Sequence, residues 1–446
     1  MPTVSLFSVN GREGPSPEET SAFGALGCFE QLDSLSLYED YKQDKKKVRG
    51  VLKNSAGRGH GSVQDQNIFI FSIRDLSRAA TLQLCLPQYL MHLQQSLRRA
   101  SADRGFHVPE GMGKESAELM SDAFKLYEEM KKAGVPGEDA RYILPLYTKT
   151  NIQTAGNARE LSHLFWMTEH SDAPSEVKEV VKSMREKAEE TAPGLFRNWG
   201  YNYEVLAWYP SSQLYSDNPL MDEIVQANKS NEVKLVEHPI PEGIIQKAVA
   251  ERDEALLSLL KHSHNGCHLQ GFLAGMSLAA FHQAIRQRTW DHAVESIFSA
   301  AEREELVLPV TVESRGFGKE FKDLAGQLLS AYKEEKENIG RNNAIGLVPH
   351  ALKLYDLIHV NGWNAIHSIG KRTCFEAQWE IREIAKQIAC KIKERNPALG
   401  KWAEPQGVVY GYCPERNPCG YCERTLRERN ELDRWHGPLE KDPKVV

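Results

Sequence analysis

Arg286 and Arg288 flank Gln287 directly after the apolar run FLAGMSLAAF at 272–281. A guanidinium is planar, permanently charged and shaped to take two phosphate oxygens at once. Two of them at this spacing cannot share one buried helical stripe, so they face either solvent, the usual fate of arginine, or an anion. Another arginine closes the tract Gln94-Gln95-Ser96-Leu97-Arg98, and Arg372 stands just ahead of Cys374. Ser96 and Arg98 also read as a turn and a surface cation, and Arg372 as a partner for Glu376 or Glu380. Cys413, Cys419 and Cys422 cluster in the tail; with Cys374 they make four thiols, the count of a closed structural zinc site. The same residues read equally as reduced cysteines or, for Cys419 and Cys422, as a redox pair. The histidines of HSHNGCH (262–268) match no standard zinc spacing.

The elements that must position these groups belong to an ordinary globular chain. It has 446 residues, 41% hydrophobic and 26% charged, with a formal net charge of -6. That length suggests two to four domains. The charge argues against DNA or RNA as partner while leaving room for a local basic pocket. No apolar run reaches the ~18 residues of a membrane-spanning helix, so no membrane partner is expected. The start lacks the basic region of a secretory signal, and the eight cysteines are too unevenly placed for a secreted disulfide framework. The expectation is a cytoplasmic protein with reduced thiols, and Cys28, Cys85, Cys267 and Cys390 read as structural.

Aromatic and β-branched residues at 66–73 predict a buried strand, and 232–238 predicts another. Helices are predicted at 115–137, closed by Gly134 and Pro136, and at 175–194, 242–262, 319–337 and 376–395. In the last of these Ala377, Ile381, Ile384, Ile388 and Ile392 form one apolar stripe, which reads as core. Trp379 and Cys390 fall opposite, so Trp379 is expected to touch another domain or subunit. The polar, turn-rich stretch at 210–232 reads as a linker.

The chain also repeats itself. LSRAATLQLCLPQY (76–89) echoes MSLAAFHQAIRQRT (276–289), and Gln83 pairs with Gln283, Pro145 with Pro349 and Asn157 with Asn361, at offsets of 200, 204 and 204. A near-constant offset over blocks this long means a duplicated domain rather than a short-repeat array. The expected domains are 1–225 and 232–446.

The blocks GHGSVQDQNIFIFSIRDLSRA, QQSLRR, ARYILP and NARELSHLF in the first half resemble the flavin-dependent thymidylate synthase family. So do MSLAAFHQAIRQR, NGWNAIHSIGKRTCFEAQWEIRE and GYCPERNPCG in the second. The resemblance implies an α+β fold, a mixed sheet with packed helices present in two tandem copies. It implies FAD as cofactor, with NADPH and methylenetetrahydrofolate as co-substrates for methylating dUMP to dTMP. By the family's motifs Gln94, Gln95, Ser96, Arg98, Arg141, Gln283 and Arg286 would bind the nucleotide. His60, Ser62, Asn157, Arg159, His163, Arg286, Gln287 and Arg288 would bind the flavin. Arg372 would activate the pyrimidine, stabilising the negative charge that develops when its N3 is deprotonated.

Both halves depart from the family pattern, in complementary places. The Arg-His-Arg slot reads Leu86-Pro87-Gln88 in the first half, and the activating arginine falls on Thr168. In the second half the terminal arginine of the Ser tract falls on Phe298, the position matching Arg141 is Ile345, and that matching Arg159 is Trp363. Family members are homotetramers with sites shared between subunits. The resemblance therefore implies a homodimer acting as a pseudo-tetramer, with two composite sites kept and two degenerate. Methylation or another C5 modification of a different uracil nucleotide, and a non-catalytic flavin- or nucleotide-binding protein, are the alternative readings.

Overall fold

The computed structural model describes residues 2–10, 14–42, 44–58, 61–98, 100–197, 199–200, 211–239, 241, 243–244, 247, 251, 253–260, 263–264, 268–287, 289–413 and 418–438. Each half is built on an antiparallel sheet of the same strand order. In the first, β1 (Thr3–Val9), β2 (Phe69–Ser77), β3 (Met91–Gln94) and β4 (Lys149–Gly156) lie in the order β1-β2-β4-β3. In the second, β5 (Lys234–Pro239), β7 (His268–Ser277), β8 (Asp291–Val294) and β9 (Lys353–His359) lie as β5-β7-β9-β8, with the short β6 (Ser263–His264) beside β7. The strand predicted at 66–73 is β2, shifted because its apolar alternation continues through Ile73 and Leu76, both fully buried.

A short helix follows the second strand of each sheet: α1 (Arg78–Cys85) and, in the second half, α7 (Leu278–Ala284). Both start the same way. The Ser77 and Ser277 hydroxyls accept from the backbone N–H of Ala80 and Ala280, at 3.1 and 3.0 Å. The long helices α2 (Lys114–Lys132) and α8 (Gly318–Ile339) pack on each other. Each half then carries a helix pair: α3 (Ala158–Glu169) with α4 (Ser175–Thr191), and α9 (Gly362–Arg372) with α10 (Trp379–Arg395). In α10, Ile381, Ile384, Ile388 and Ile392 are buried as the periodicity predicts, contributing about 1.5–3 kcal/mol each.

The halves join along a pseudo-twofold. Pro145 faces Pro349 in an isolated antiparallel bridge, flanked by Leu146 N–H to the Val348 carbonyl (3.0 Å) and His350 N–H to the Leu144 carbonyl (2.9 Å). Trp379 does cross to the other half. Its indole N–H donates to Asp139 at 2.8 Å, and its ring stacks on Tyr142 at 6.3 Å.

Three expectations need correction. The stretch read as a linker holds a helix, α5 (Pro219–Asn228), whose Leu220, Met221, Ile224 and Val225 pack on the second sheet. Its apolar spacing is diluted by polar neighbours in the sequence. In the helix predicted at 242–262, Gly243, Ile244, Lys247 and Glu251 are helical, and after a break at Asp253 the chain forms α6 (Glu254–Leu260), so one predicted helix is interrupted. Cys28 and Cys390 are exposed, not structural core; Cys85 is buried, and Cys267 lies outside the described residues.

Candidate active site

Past the end of α7 the chain leaves the apolar stripe and crosses to the first half, where Arg286 Nη2 donates to the His92 carbonyl on β3. Gln287 Nε2 donates to the Ser368 hydroxyl on α9 (2.8 Å) and to that of Thr289 (3.0 Å). Arg288 lies outside the described residues. β3 continues into the first-half tract. There Gln94 Nε2 donates to Thr81 (2.9 Å), Gln95 N–H donates to the Asn151 carbonyl (3.0 Å), and the Ser96 hydroxyl accepts from the Arg98 N–H (3.2 Å). Arg98 pairs with Glu138 at 2.6 Å and reaches over to the Glu376 carbonyl of the second half at 3.3 Å.

Five arginines converge here from both halves. Arg372, at the end of α9, is held below the usual arginine range by burial and then by the charges of Arg98 and Arg286. Arg141 is lowered first by burial, with Arg98 adding to the effect. Arg78, which no motif singled out, is lowered to about 9 by burial and by Arg141. Arg78 and Arg141 are only 5% and 7% exposed. Glu380, the carboxylate that could have paired with Arg372, instead accepts from Ser277 N–H (2.7 Å), Ser277 Oγ (2.6 Å) and the Tyr142 hydroxyl (2.6 Å).

Two buried imidazoles close the cleft. His282 and His350 stack with centroids 5.8 Å apart. His350 Nδ1 bonds the Leu144 carbonyl at 2.7 Å, and burial pushes the ring down to about 3, so it is neutral. His282 is held well below the ordinary histidine value by burial and the charge of Arg78. Among the described residues, Arg78 Nε, Arg141 Nη2, both His282 nitrogens, Gln283 Nε2, His350 Nε2 and Arg372 Nε are buried without a hydrogen-bond partner. Such atoms are costly to leave unpaired. Nitrogen donors dominate the set, which fits an anionic ligand rich in oxygen acceptors.

The pseudo-equivalent cleft is sealed. Leu278, Leu82, Ile345, Leu146, Leu86, Thr168 and Phe298, all buried, stand in place of Arg78, His282, Arg141, His350, Arg286, Arg372 and Arg98. Gln83, the counterpart of Gln283, is satisfied by the Thr168 hydroxyl at 3.0 Å. Tyr215, fully buried, fills the space. Its hydroxyl donates to the Ala79 carbonyl at 3.0 Å and its ring lies 6.4 Å from that of Phe298. The neighbouring Leu214 carbonyl accepts the Ile297 N–H at 3.0 Å. Residues 214–215 thus act as a built-in plug.

The residues of the first-half flavin block form a separate group. Asn157 caps α3 through Glu160 N–H (2.8 Å) and donates to Asp65 (3.0 Å), while Arg159 pairs with the same carboxylate. Ser62 lies nearby, exposed, on the short helical segment Gly61–Gln64, and a Cβ on Gly61 would meet Arg159 Cδ at 2.9 Å. His163 is paired with Glu254 on α6; burial opposes its charge, but Glu254 and Glu160 prevail and raise it to about 10. His60 lies outside the described residues. Of the cysteines expected to hold zinc, Cys413 and Cys422 are buried, Cys374 is half-buried and Cys419 exposed, and among the described residues no three His, Cys, Asp or Glu stand close enough to hold a metal ion.

The family model described as thymidylate synthase complementing protein matches the chain twice, over residues 12–194 and 216–398. A flavin-dependent thymidylate synthase of Pyrococcus abyssi is 32% identical over 191 residues, covering 40% of this chain and 78% of the relative. One from Geobacter sulfurreducens is 32% identical over 196 residues, covering 42% of this chain and 83% of the relative. A solved structure of a UMP/dUMP methylase, PolB from Streptomyces cacaoi bound with 5-Br dUMP, aligns at 18% identity and a TM-score of 0.38, covering 46% of this chain and 95% of that one. Two matches in series, each the length of one half, account for the repeat: the chain belongs to the flavin-dependent thymidylate synthase family as a tandem duplication of its module, and it is an enzyme of that kind.

Proposed function

We propose that this chain methylates C5 of dUMP to give dTMP, with FAD as cofactor and methylenetetrahydrofolate and NADPH as co-substrates, in the basic cleft between its halves. The observation that carries this reading is the set of buried, partnerless nitrogen atoms on Arg78, Arg141, Gln283 and Arg372, contributed by both halves. A nucleotide monophosphate supplies the acceptor oxygens they lack. Arg98 and Arg141 hold the phosphate, with Gln94, Gln95, Ser96 and Gln283 fixing the orientation of the nucleotide. Arg372 sits at the pyrimidine edge and stabilises the charge left when N3 gives up its proton, which raises the nucleophilicity of C5 without a protein nucleophile. Ser96 positions and does not attack.

The chemistry supplied by bound FAD is hydride and one-carbon transfer. Arg286, Gln287 and Arg288 are the residues assigned to hold it. The Ser62, Asn157, Arg159 and His163 group fits it less well, because Asp65 and Glu254 already take up its polar atoms. Two chains make a homodimer, a pseudo-tetramer with two working clefts and two sealed ones. The test is tritium release from 5-labelled dUMP in the presence of FAD, methylenetetrahydrofolate and NADPH, with UMP run alongside. Release from dUMP is expected. No release from either nucleotide by a yellow, folded preparation sinks the reading, and release from UMP alone reassigns the substrate.

A further inference from the structure

The partnerless nitrogens of Arg78, Arg141, Gln283 and Arg372 in the basic cleft are all donors; that of His350 is not. His350, 2% exposed, sends its backbone N–H and its Nδ1 to the same Leu144 carbonyl, at 2.9 and 2.7 Å. A carbonyl oxygen only accepts, so Nδ1 carries the ring proton. Burial keeps the ring neutral. Nε2 is therefore a bare lone pair, buried and without a hydrogen-bond partner. In the sealed cleft the matching residue is Leu146, fully buried, so packing at this position does not call for an imidazole.

We infer that His350 reads the sugar of the nucleotide: its Nε2 accepts a hydrogen bond from the 3′-hydroxyl of dUMP. This rests on the reading of the cleft as a dUMP site and adds a residue to it. Near neutral pH dUMP has few protons to donate. A phosphate monoester loses its second proton near about pH 6 and then only accepts. The base and the sugar hold one polar hydrogen each, on N3 and on the 3′ oxygen. N3 belongs to Arg372, where its proton is given up, and Arg372 feels the charges of Arg98 and Arg286. The charges that weigh on His350 are those of Arg141, assigned to the phosphate, and of its neighbour Arg78. The sugar joins phosphate to base, so its hydroxyl is the donor on that side.

His282 completes the arrangement. Its ring stacks on that of His350 with centroids 5.8 Å apart and planes at 23°, and neither of its nitrogens has a partner. A hydroxyl both donates and accepts. Its oxygen takes an N–H from His282 or from Arg78 while its proton goes to His350 Nε2. A phosphate oxygen or a uracil carbonyl satisfies the donors alone and leaves Nε2 bare. A buried acceptor left unpaired weakens binding, so the site discriminates against nucleotides that lack the hydroxyl.

The test is a cycle that removes the hydroxyl and the imidazole separately and together. Calorimetry on the full-length, flavin-loaded protein compares dUMP with 2′,3′-dideoxyuridine 5′-monophosphate and with the 3′-fluoro form of that analogue, which keeps a substituent and cannot donate. Wild type should bind both analogues about ten- to a hundredfold more weakly than dUMP. His350→Leu, importing the residue found at 146, should bind all three within about threefold of one another. Should this variant fail to fold, nitrogen NMR of histidine-labelled wild type replaces it: an unprotonated Nε2 signal should move upfield with dUMP and stay in place with the fluoro analogue. Wild type that binds either analogue as tightly as dUMP overturns the inference, as does an undiminished preference in folded His350→Leu or a spectrum with no shift specific to dUMP. In each of these cases dUMP still binds and the methylation reading stands; wild type that binds no uracil nucleotide sinks both.

Discussion

The two clefts began as copies of one module and have diverged to opposite solutions of the same problem. In one, Arg78, Arg98, Arg141, Arg286 and Arg372 crowd together, and buried nitrogens of Arg78, Arg141 and Arg372 go without hydrogen-bond partners. In the other, leucine, isoleucine, threonine and phenylalanine occupy the same positions, and Tyr215 fills what remains. The basic cleft is costly in the free protein, because like charges are held together out of water. The sealed cleft, lined by buried apolar and neutral side chains, avoids that cost. A composite site needs one copy of each part, so the duplicated chain can keep the costly arrangement once and turn its twin into core.

The sharpest break in this comparison comes from exchanging residues between the clefts. Arg372→Ala should lower tritium release about 10²–10³-fold, the cost of losing one donor at a developing charge, and Arg286→Ala should lower it by weakening the hold on the flavin. Thr168→Ala and Leu86→Ala, at the matching positions, should leave the rate within about a factor of two once folding is matched. Comparable losses on both sides would mean that both clefts work.

A smaller effect runs in the opposite sense. Arg141→Ile imports Ile345 into the basic cleft, and replacing a buried cation by an apolar side chain should raise the stability of the ligand-free protein by about 1–4 kcal/mol. The same change should abolish the thermal stabilisation by dUMP, which in the wild type reaches about 3 kcal/mol at a hundredfold excess over Kd. Paired melts with and without dUMP decide it; a variant destabilised without ligand would show that Arg141 serves packing.

Smaller again is the contribution of the plug. Tyr215→Phe removes the hydrogen bond to the Ala79 carbonyl and should cost about 0.5–1.5 kcal/mol without adding activity. Calorimetric titration should give one nucleotide per chain for wild type and variant alike. Two per chain would refute the idea that the second cleft is sealed.

Much of this was legible in the sequence, and the parts that were not share a cause. The duplication, the complementary arginines and the crossing of Trp379 follow from local motifs and a constant offset. Arg78 and His282 were missed although they stand inside the family-like blocks, because the hallmark positions of those blocks do not include them, and His350 lies outside the blocks. The offset does expose them, since each faces a leucine, at 278, 82 and 146, where an apolar packing role would keep a leucine in both copies. The plug was illegible for a different reason. Tyr215 sits in a polar, turn-rich stretch, and its burial arises from contacts with Ala79 and Phe298 that no local pattern encodes. The flavin block was read as cofactor-binding from its motif, and that motif carries no sign of its carboxylate partners, Asp65 and Glu254, which lie far away in the chain.

The finest distinction is in the pH dependence of stability, where two buried histidines act in opposite directions. His350, in the basic cleft, has its folded value depressed to about 3 from an ordinary 6.5. Above pH 6.5 it is neutral in both states and contributes nothing. Below that the unfolded chain takes up the proton first, so stability falls as the pH drops from 6.5 toward 3. His163, paired with Glu254, has its folded value raised to about 10. Its contribution is complete below pH 6.5 and is lost as the pH rises from there toward 10. Between pH 7 and pH 6 the His350 effect should amount to less than about 1 kcal/mol, so denaturant melts at closely spaced pH values are needed. His350→Leu should flatten the acid limb and leave the alkaline one, and His163→Gln should do the reverse. An acid limb unchanged in His350→Leu would mean that the imidazole is not held neutral, and the electrostatic contrast between the clefts would then rest on the arginines alone.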